Sequence, residues 1–317
     1  MRLITRINHG EEVVALVNEA NIPMRFFISR PERLNLEDVL PGIIRKKDSV
    51  LKGYFVETQK HAVFVPSKDT HTEGERVWVK ITKEARQGKD ANGIFITESD
   101  FIAHTSSDSL SQKLSNQLSL PISYDWDSSF DEALDEALAE SVSLSNGLKI
   151  HINRTSTCWT IDVDSTNATD SFKALNYQAA EIIVQEILKR HIGGLILIDF
   201  IGTKHKSLRI ALQKYLTELL EKDNLSQILG WTHGGLFEIR RTRTYAPLID
   251  VFLDIQGNPT FLSTAYRICT LVDACKTTPY ITAHPKVIDI LRDKLKNIAC
   301  LKADITYPLH HFDIKEK

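Results

Sequence analysis

Three aspartates near the middle of the chain, Asp162, Asp164 and Asp199, could do chemistry together. Asp162 and Asp164 lie in Thr160-Ile161-Asp162-Val163-Asp164-Ser165. A period of two there puts Trp159, Ile161 and Val163 on one face of a strand and both acids on the other. Asp199 closes the aliphatic run Gly193-Gly194-Leu195-Ile196-Leu197-Ile198. That run reads as a buried central strand with layers packed on both sides. If the two strands are neighbours, their carboxylates converge. Converging acids without an adjacent base suit a hard divalent cation, magnesium or manganese, which takes one or two carboxylates and keeps several waters. Such an ion polarises a phosphodiester and activates water at neutral pH. A strand-end Asp is also a common helix cap, so on the residues alone both a metal site and a set of structural acids stay open.

Basic and aromatic residues could complete a phosphate-rich site. Arg240, Arg241 and Arg243, with Lys204, His205 and Lys206, could flank the acids. Arginine forks donate two hydrogen bonds to a phosphate, and alternation puts Arg241 and Arg243 on one face. Each residue singly also fits an ordinary charged surface. Phe55 and Phe64 sit in strand-like segments, and Lys83, Arg86 and Lys89 follow in a basic loop. Aromatic rings beside basic residues suggest single-stranded nucleic acid stacked base by base. On the sequence alone a place in a barrel core suits both rings slightly better, and Trp78 is a third ring of either kind. His151, His191, His205 and His233 have no metal-ligand spacing and read as structural or surface residues.

These residues need elements to position them. Residues 1–37 read as a β-hairpin region, with Val13–Val17 and Met24–Ile28 strand-like. Short strands recur over 38–100, which suggests a small β-barrel of OB-fold type. Residues 101–126 are rich in Ser and Gln and read as a linker. A helix with an acidic solvated face is expected over 127–143. Asn146-Gly147 signals a hairpin before the strand Leu148–Asn153. Lys173–Arg190 and Ser207–Asp223 are amphipathic helices, the first expected to stop at Gly193-Gly194. Strands alternating with helices over 127–250 imply an α/β layer structure, and 251–317 a small α+β lobe.

The chain of 317 residues is long enough for two or three domains, and its net charge of -2 advertises no global basic field. No apolar run nears the roughly 20 residues that span a bilayer. The N-terminus lacks the apolar core of a signal peptide. Cys158, Cys269, Cys275 and Cys300 form no CxxC pair, which disfavours zinc and fits a reducing cytoplasm.

Several segments resemble the ribonuclease E/G family. Asn176-Tyr177-Gln178-Ala179-Ala180-Glu181 running into the Asp199 strand is similar to that family's NLEAADEIA-type helix and GGLIVIDFIDM-type strand. Gly235–Arg243 resembles its GLLEMSRQR segment and Ile161–Ser165 its IDINS segment. The resemblance implies a DNase-I-like catalytic domain in which Asp162 and Asp199 bind magnesium. Asp164 stands where the family has an Asn, so a third ligand and an orienting residue are both open. Asn167 replaces the family's Arg, and Gly202 the second Asp of its IDFID strand. Phe55 and Phe64 match the aromatics of the family's RNA surface, and Ile81–Lys89 its basic loop, which implies RNA contact by Lys89. No segment resembles the family's 5′-sensor, and no cysteine pair stands where it places an inter-subunit zinc link, so the chain resembles a shortened member.

The reading is a magnesium-dependent endoribonuclease of the cytoplasm that cuts single-stranded RNA and leaves a 5′-phosphate. Asp162, Asp199 and Asp164 form its site, and Phe55, Phe64, Lys89, Arg241 and Arg243 bind RNA. No membrane partner is expected, and a homodimer is left open. The alternatives are a weak or inactive RNA-binding relative, suggested by Asn167 and Gly202, and a metal-dependent phosphodiesterase on another substrate.

Overall fold

In a computed structural model of the chain, the described residues are 1–59, 61–86, 88–104, 108–165, 170–296 and 298–316. The chain opens with β1 (Arg2–Asn8), β2 (Glu11–Val17) and β3 (Pro23–Ser29). Five strands follow, β4 (Val39–Asp48), β5 (Gly53–Thr58), β6 (Ala62–Pro66), β7 (Arg76–Lys83) and β8 (Ala91–Ile96). Next come α1 (Glu98–His104), α2 (Leu110–Leu118), β9 (Ile122–Ser123) and α3 (Ser128–Leu138). Then come β10 (Ser141–Ser143), β11 (Leu148–Arg154), β12 (Cys158–Ser165), α4 (Phe172–Lys189), β13 (Gly194–Asp199), α5 (Lys206–Leu220), β14 (Ser226–Trp231) and β15 (Phe237–Arg241). The last elements are α6 (Leu248–Phe252), α7 (Phe261–Asp273), β16 (Tyr280–Ala283), α8 (Pro285–Lys294), β17 (Cys300–Ala303) and β18 (Phe312–Lys315).

Two compact units form: residues 1–15, 27–126 and 248–317 in one, and 16–26 and 127–247 in the other. In the first, five strands close into a barrel in the order β4-β5-β6-β8-β7. Its core includes Ile44, Tyr54, Val56, Val63, Val65, Val79 and Ile81. A three-stranded sheet in the order β17-β16-β18 shares an apolar cluster with α7 and α8. The stretch expected to be a linker instead carries helices. Ser109 and Gln112 form a capping box on α2. The Glu12 carboxylate accepts from the Leu110 and Ser111 N–H groups at 2.7 and 2.9 Å, neutralising the helix start.

The second unit holds a six-stranded sheet in the order β10-β11-β12-β13-β15-β14. One face buries Leu148, Ile150, Ile152, Ile161, Val163, Ile196, Ile198, Phe237 and Ile239. α4 packs on β11 and β12, α5 on β14, and the two helices on each other. The other face of β13 is less covered than its apolar run suggests: Leu195 and Leu197 stay half-buried. The sheet is antiparallel apart from the β12–β13 pair, and such sheets can leave one face to water. The expected helix over 127–143 stops at Leu138, because Ser141–Ser143 pair with β11 instead. Among the described residues no helix is long and apolar enough to cross a membrane.

Candidate active site

Asp162 and Asp164 leave β12 on the open face, opposite the buried Trp159, Ile161 and Val163. β13 runs parallel to β12 with Asp199 directly opposite Asp162. On the other side of Asp162, β11 supplies His151, so one row across three strands reads His151, Asp162, Asp199. Asp164 stands two residues along, opposite Lys149. No described residue forms an ion pair or hydrogen bond with the side chain of Asp162 or Asp199. Partial burial and the Asp162 charge push the Asp199 carboxyl above its ordinary range.

The chain just past Asp199 is pinned. Phe200 is buried near Trp231 and Phe237. Asn176, fully buried on α4, donates to the Ile201 carbonyl at 2.7 Å and accepts from the Ile201 N–H at 3.0 Å. The Arg209 Nε–H donates to the Thr203 carbonyl. Gly202 has φ 63°, and a Cβ there would meet the Phe172 ring at 2.7 Å. Asn176 was missed as a positioning residue in the sequence. The signal was an amide beside the apolar stripe of α4, where a buried polar group needs partners. Asn167 lies outside the described residues, as does Gln87 of the basic loop.

Two carboxylates side by side at a pinned strand end, with no ion-pair partner among the described residues, are a donor set that suits a divalent ion. Among the described residues no three His, Cys, Asp or Glu side chains gather, so an ion here would draw its other oxygens from water and substrate.

The arginines are divided differently from the reading by alternation. Arg241 is buried on the helix side of the sheet, with Nε 2.8 Å and Nη2 3.3 Å from the Asp223 carboxylate. Its Nη1–H donates to the Ile192 carbonyl at 3.0 Å. Arg243 Nε–H donates to the Gly193 carbonyl at 2.9 Å, and any side chain on Gly194 (φ 105°) would run into its guanidinium. The glycine pair therefore makes room for Arg243. Helix α4 ends earlier, on His191 in the left-handed conformation (φ 54°). Arg241 lies opposite Gly194, five residues from Asp199 along β13, or roughly 16 Å at about 3.3 Å per residue. The structure thus gives Arg241 and Arg243 backbone-clamping roles and does not bring them to the acids. Arg240 is exposed and lies opposite Leu195, on the acids' face. Lys204 and His205 in the turn after Asp199, and Lys206 at the start of α5, are exposed.

On the barrel, Tyr54, Val56, Val63 and Val65 point inward, while Phe55 and Phe64 are half-buried on the outer wall. They are cross-strand partners with ring centroids 5.3 Å apart. Lys46 stands beside Phe55, and Asn92 and Lys83 continue the row beyond Phe64. Phe64 lies across Gly53, where a Cβ would meet its ring at 2.6 Å. Lys89 is exposed in a turn closed by backbone bonds with Arg86. Trp78 also faces outward and stacks on Phe101.

A mixed sheet with paired strand-end carboxylates on its open face, backed by helices, defines the class as an α/β protein with an acidic, cation-suited site. Residues 126–244 match the model of the Ribonuclease E/G family. It is 31% identical over 120 residues to Ribonuclease G of Haemophilus influenzae, covering 36% of this chain and 24% of that one. Ribonuclease E of Synechocystis sp. is 35% identical over 118 residues, 35% of this chain and 18% of the relative. Ribonuclease G of Escherichia coli is 29% identical over 110 residues, 32% and 22% respectively. The match thus spans about a quarter or less of these relatives' own length.

Proposed function

We propose that this chain is a metal-dependent endoribonuclease acting on single-stranded RNA. The observation that carries the reading is the register of Asp162 with Asp199, two adjacent carboxylates without a cationic partner among the described residues. Asp162 and Asp199 would hold a magnesium or manganese ion, which supplies charge stabilisation at the phosphorus and activation of water. Asp164, one row along, orients the site or its waters. Asn176 holds the backbone after Asp199 so that the carboxylates stay paired. Arg240, Lys204 and Lys206 are the exposed cations from which phosphate contacts on this unit are drawn. The sheet with its backing helices is read as DNase-I-like and the barrel as an OB-fold, on which Phe55 and Phe64 stack bases and Lys89 meets a phosphate. The four cysteines are unpaired, which supports a reducing cytoplasm.

The test is cleavage of a labelled single-stranded RNA with added magnesium. Loss of cleavage with EDTA, and in Asp162→Asn and Asp199→Asn, supports the reading; chelator-resistant cleavage overturns it. A second reading, an RNA-binding relative without turnover, draws on Gly202. The left-handed backbone there accepts the family's second acid only with strain. Tight RNA binding without cleavage in any divalent metal would favour it.

A further inference from the structure

The barrel has a cleft of about 460 Å³ that includes neither Phe55 nor Phe64. It is lined by half-buried Trp78 and Ile43 and by exposed Pro41, Glu57, Gln59 and Arg76. Its volume falls within the roughly 300–1,000 Å³ of small-molecule pockets. A second cleft of about 570 Å³ contains Phe55, Arg45 and His61 and shares Glu57, Thr58 and Gln59 with the first. The two clefts therefore meet along the end of β5.

Trp78 is placed to bind and not to fill the core. Val79 and Ile81 of its strand are buried inside the barrel, while Trp78 points outward beside Pro41 and Ile96. Its ring is stacked on Phe101 at 4.0 Å and 22°. That contact fixes the ring in place, so little side-chain freedom is lost when a ligand arrives. A fixed indole bordered by an amide, a carboxylate and a guanidinium matches the needs of a nucleobase. The base has a flat face to stack and edge donors and acceptors to satisfy. Arg76 suits the phosphate beside it.

We infer that the Trp78 cleft is a second base-binding site, which takes a nucleobase of the same RNA strand that Phe55 and Phe64 hold. This rests on the RNA-binding reading of the barrel. The junction of the two clefts at Glu57–Gln59 gives the strand its route between the sites.

The experiment uses the full chain and oligouridylates carrying 5-iodouracil, in lengths from about 4 to 16 nucleotides, the range of site sizes on such barrels. Affinity is measured at each length, and photocross-links are mapped by mass spectrometry. Affinity should rise in a step once the strand spans both clefts, with cross-links at Trp78 appearing at that length. Trp78→Ala should remove the step, a loss of about tenfold, while short oligomers bind as before. If Trp78→Ala does not fold, the surface pair Gln59→Ala with Arg76→Ala takes its place and should reduce the same step. A length dependence unchanged in these variants, with no cross-link at Trp78, overturns the inference and leaves the Phe55–Phe64 platform standing. Short oligomers that bind Phe55→Ala with Phe64→Ala as tightly as the parent overturn the platform, and the inference with it.

Discussion

Asp162 and Asp199 face each other across the parallel strands β12 and β13, and partial burial together with the Asp162 charge holds the Asp199 carboxyl above its ordinary range. The folded chain thus binds a proton at Asp199 more readily than the unfolded chain does. In the pH window above the ordinary Asp value, this lowers stability as pH rises, and the cost is complete once Asp199 is ionised. Asp199→Asn should therefore leave the melting temperature at pH 7 unchanged or higher while abolishing metal-dependent cleavage. Calorimetry beside a cleavage assay decides it. A clear drop in melting temperature would mark Asp199 as a structural acid.

Arg241 should behave as a structural residue. Both Arg241 and Asp223 are buried, so Arg241→Ala leaves an uncompensated carboxylate and should cost about 3–5 kcal/mol in chemical denaturation. Burial alone would raise the Asp223 carboxyl, but hydrogen bonds from Arg241 and Ser226 hold it below the usual range. A depressed acid stabilises above its unfolded value of about 3.9 and loses that contribution as pH falls through its folded value. The Arg241→Ala chain should show a weaker acid limb, since the Ser226 bond and the Arg25 charge remain. A variant of normal stability with weakened RNA binding would return Arg241 to the phosphate path.

His191 gives a second acid limb of different origin. Burial lowers its imidazole to about 3, against a hydrogen bond to the Phe26 carbonyl that works the other way. Since that carbonyl accepts, the neutral ring carries its proton on Nε2. Below about pH 6.5 the unfolded chain takes up a proton that the folded chain refuses. Stability should then fall with decreasing pH by up to about 1.4 kcal/mol per unit until His191 itself titrates. His191→Asn keeps a residue tolerant of the left-handed backbone and should flatten that slope. Denaturant melts at several pH values measure it, and equal slopes in the two chains would contradict it.

Some of this was legible in the sequence and some was not, for physical reasons. The alternation from Trp159 to Asp164 fixed which face the acids take, because a strand has a period of two. The aliphatic run before Asp199 marked its strand as central. Alternation also put Arg241 and Arg243 on one face, but a face is not an environment. The partner that buries Arg241 is Asp223, eighteen residues earlier in the connection between α5 and β14. The α2 helix was readable from Ser109 and Gln112, yet its Ser and Gln content suggested a linker, and its anchor, Glu12, is remote in sequence. His191 in a position usually given to Gly depends on a hydrogen bond to β3 that no local pattern announces.

The end of β13 supplies a paired test. Asn176→Ala removes both bonds to Ile201 and leaves partly buried backbone groups unsatisfied, at a cost of up to about 1–3 kcal/mol. Because Ile201 is two residues from Asp199, cleavage should fall further than stability alone explains when assayed well below the melting temperature. Gly202→Asp should not raise activity. A Cβ there would meet the Phe172 ring at 2.7 Å, and the left-handed backbone adds strain that Asp bears better than most side chains. Phe172→Ala should recover part of the loss, since that ring is 55% exposed and otherwise contributes little. A more active Gly202→Asp chain would show that the missing acid, and not the backbone, limits turnover.

The barrel residues test how RNA is held. Phe55 and Phe64 lie outside the apolar core of the barrel, so replacing both by Ala should leave folding nearly intact. Each lost stack should weaken binding of single-stranded RNA by about 1–3 kcal/mol. Because the rings are cross-strand partners at 5.3 Å, the two losses should not add. Lys89 is exposed in its turn, so its contribution is electrostatic. Lys89→Ala should reduce the slope of log affinity against log salt by about 0.7, the share of one phosphate contact on a single strand. It should do so for every RNA sequence alike, because a phosphate contact carries no base preference. Salt titrations of the parent, the double Phe variant and Lys89→Ala separate the two kinds of contact. The Phe variant should shift affinity at constant slope, and the Lys variant should change the slope. A slope unchanged by Lys89→Ala removes that residue from the RNA path.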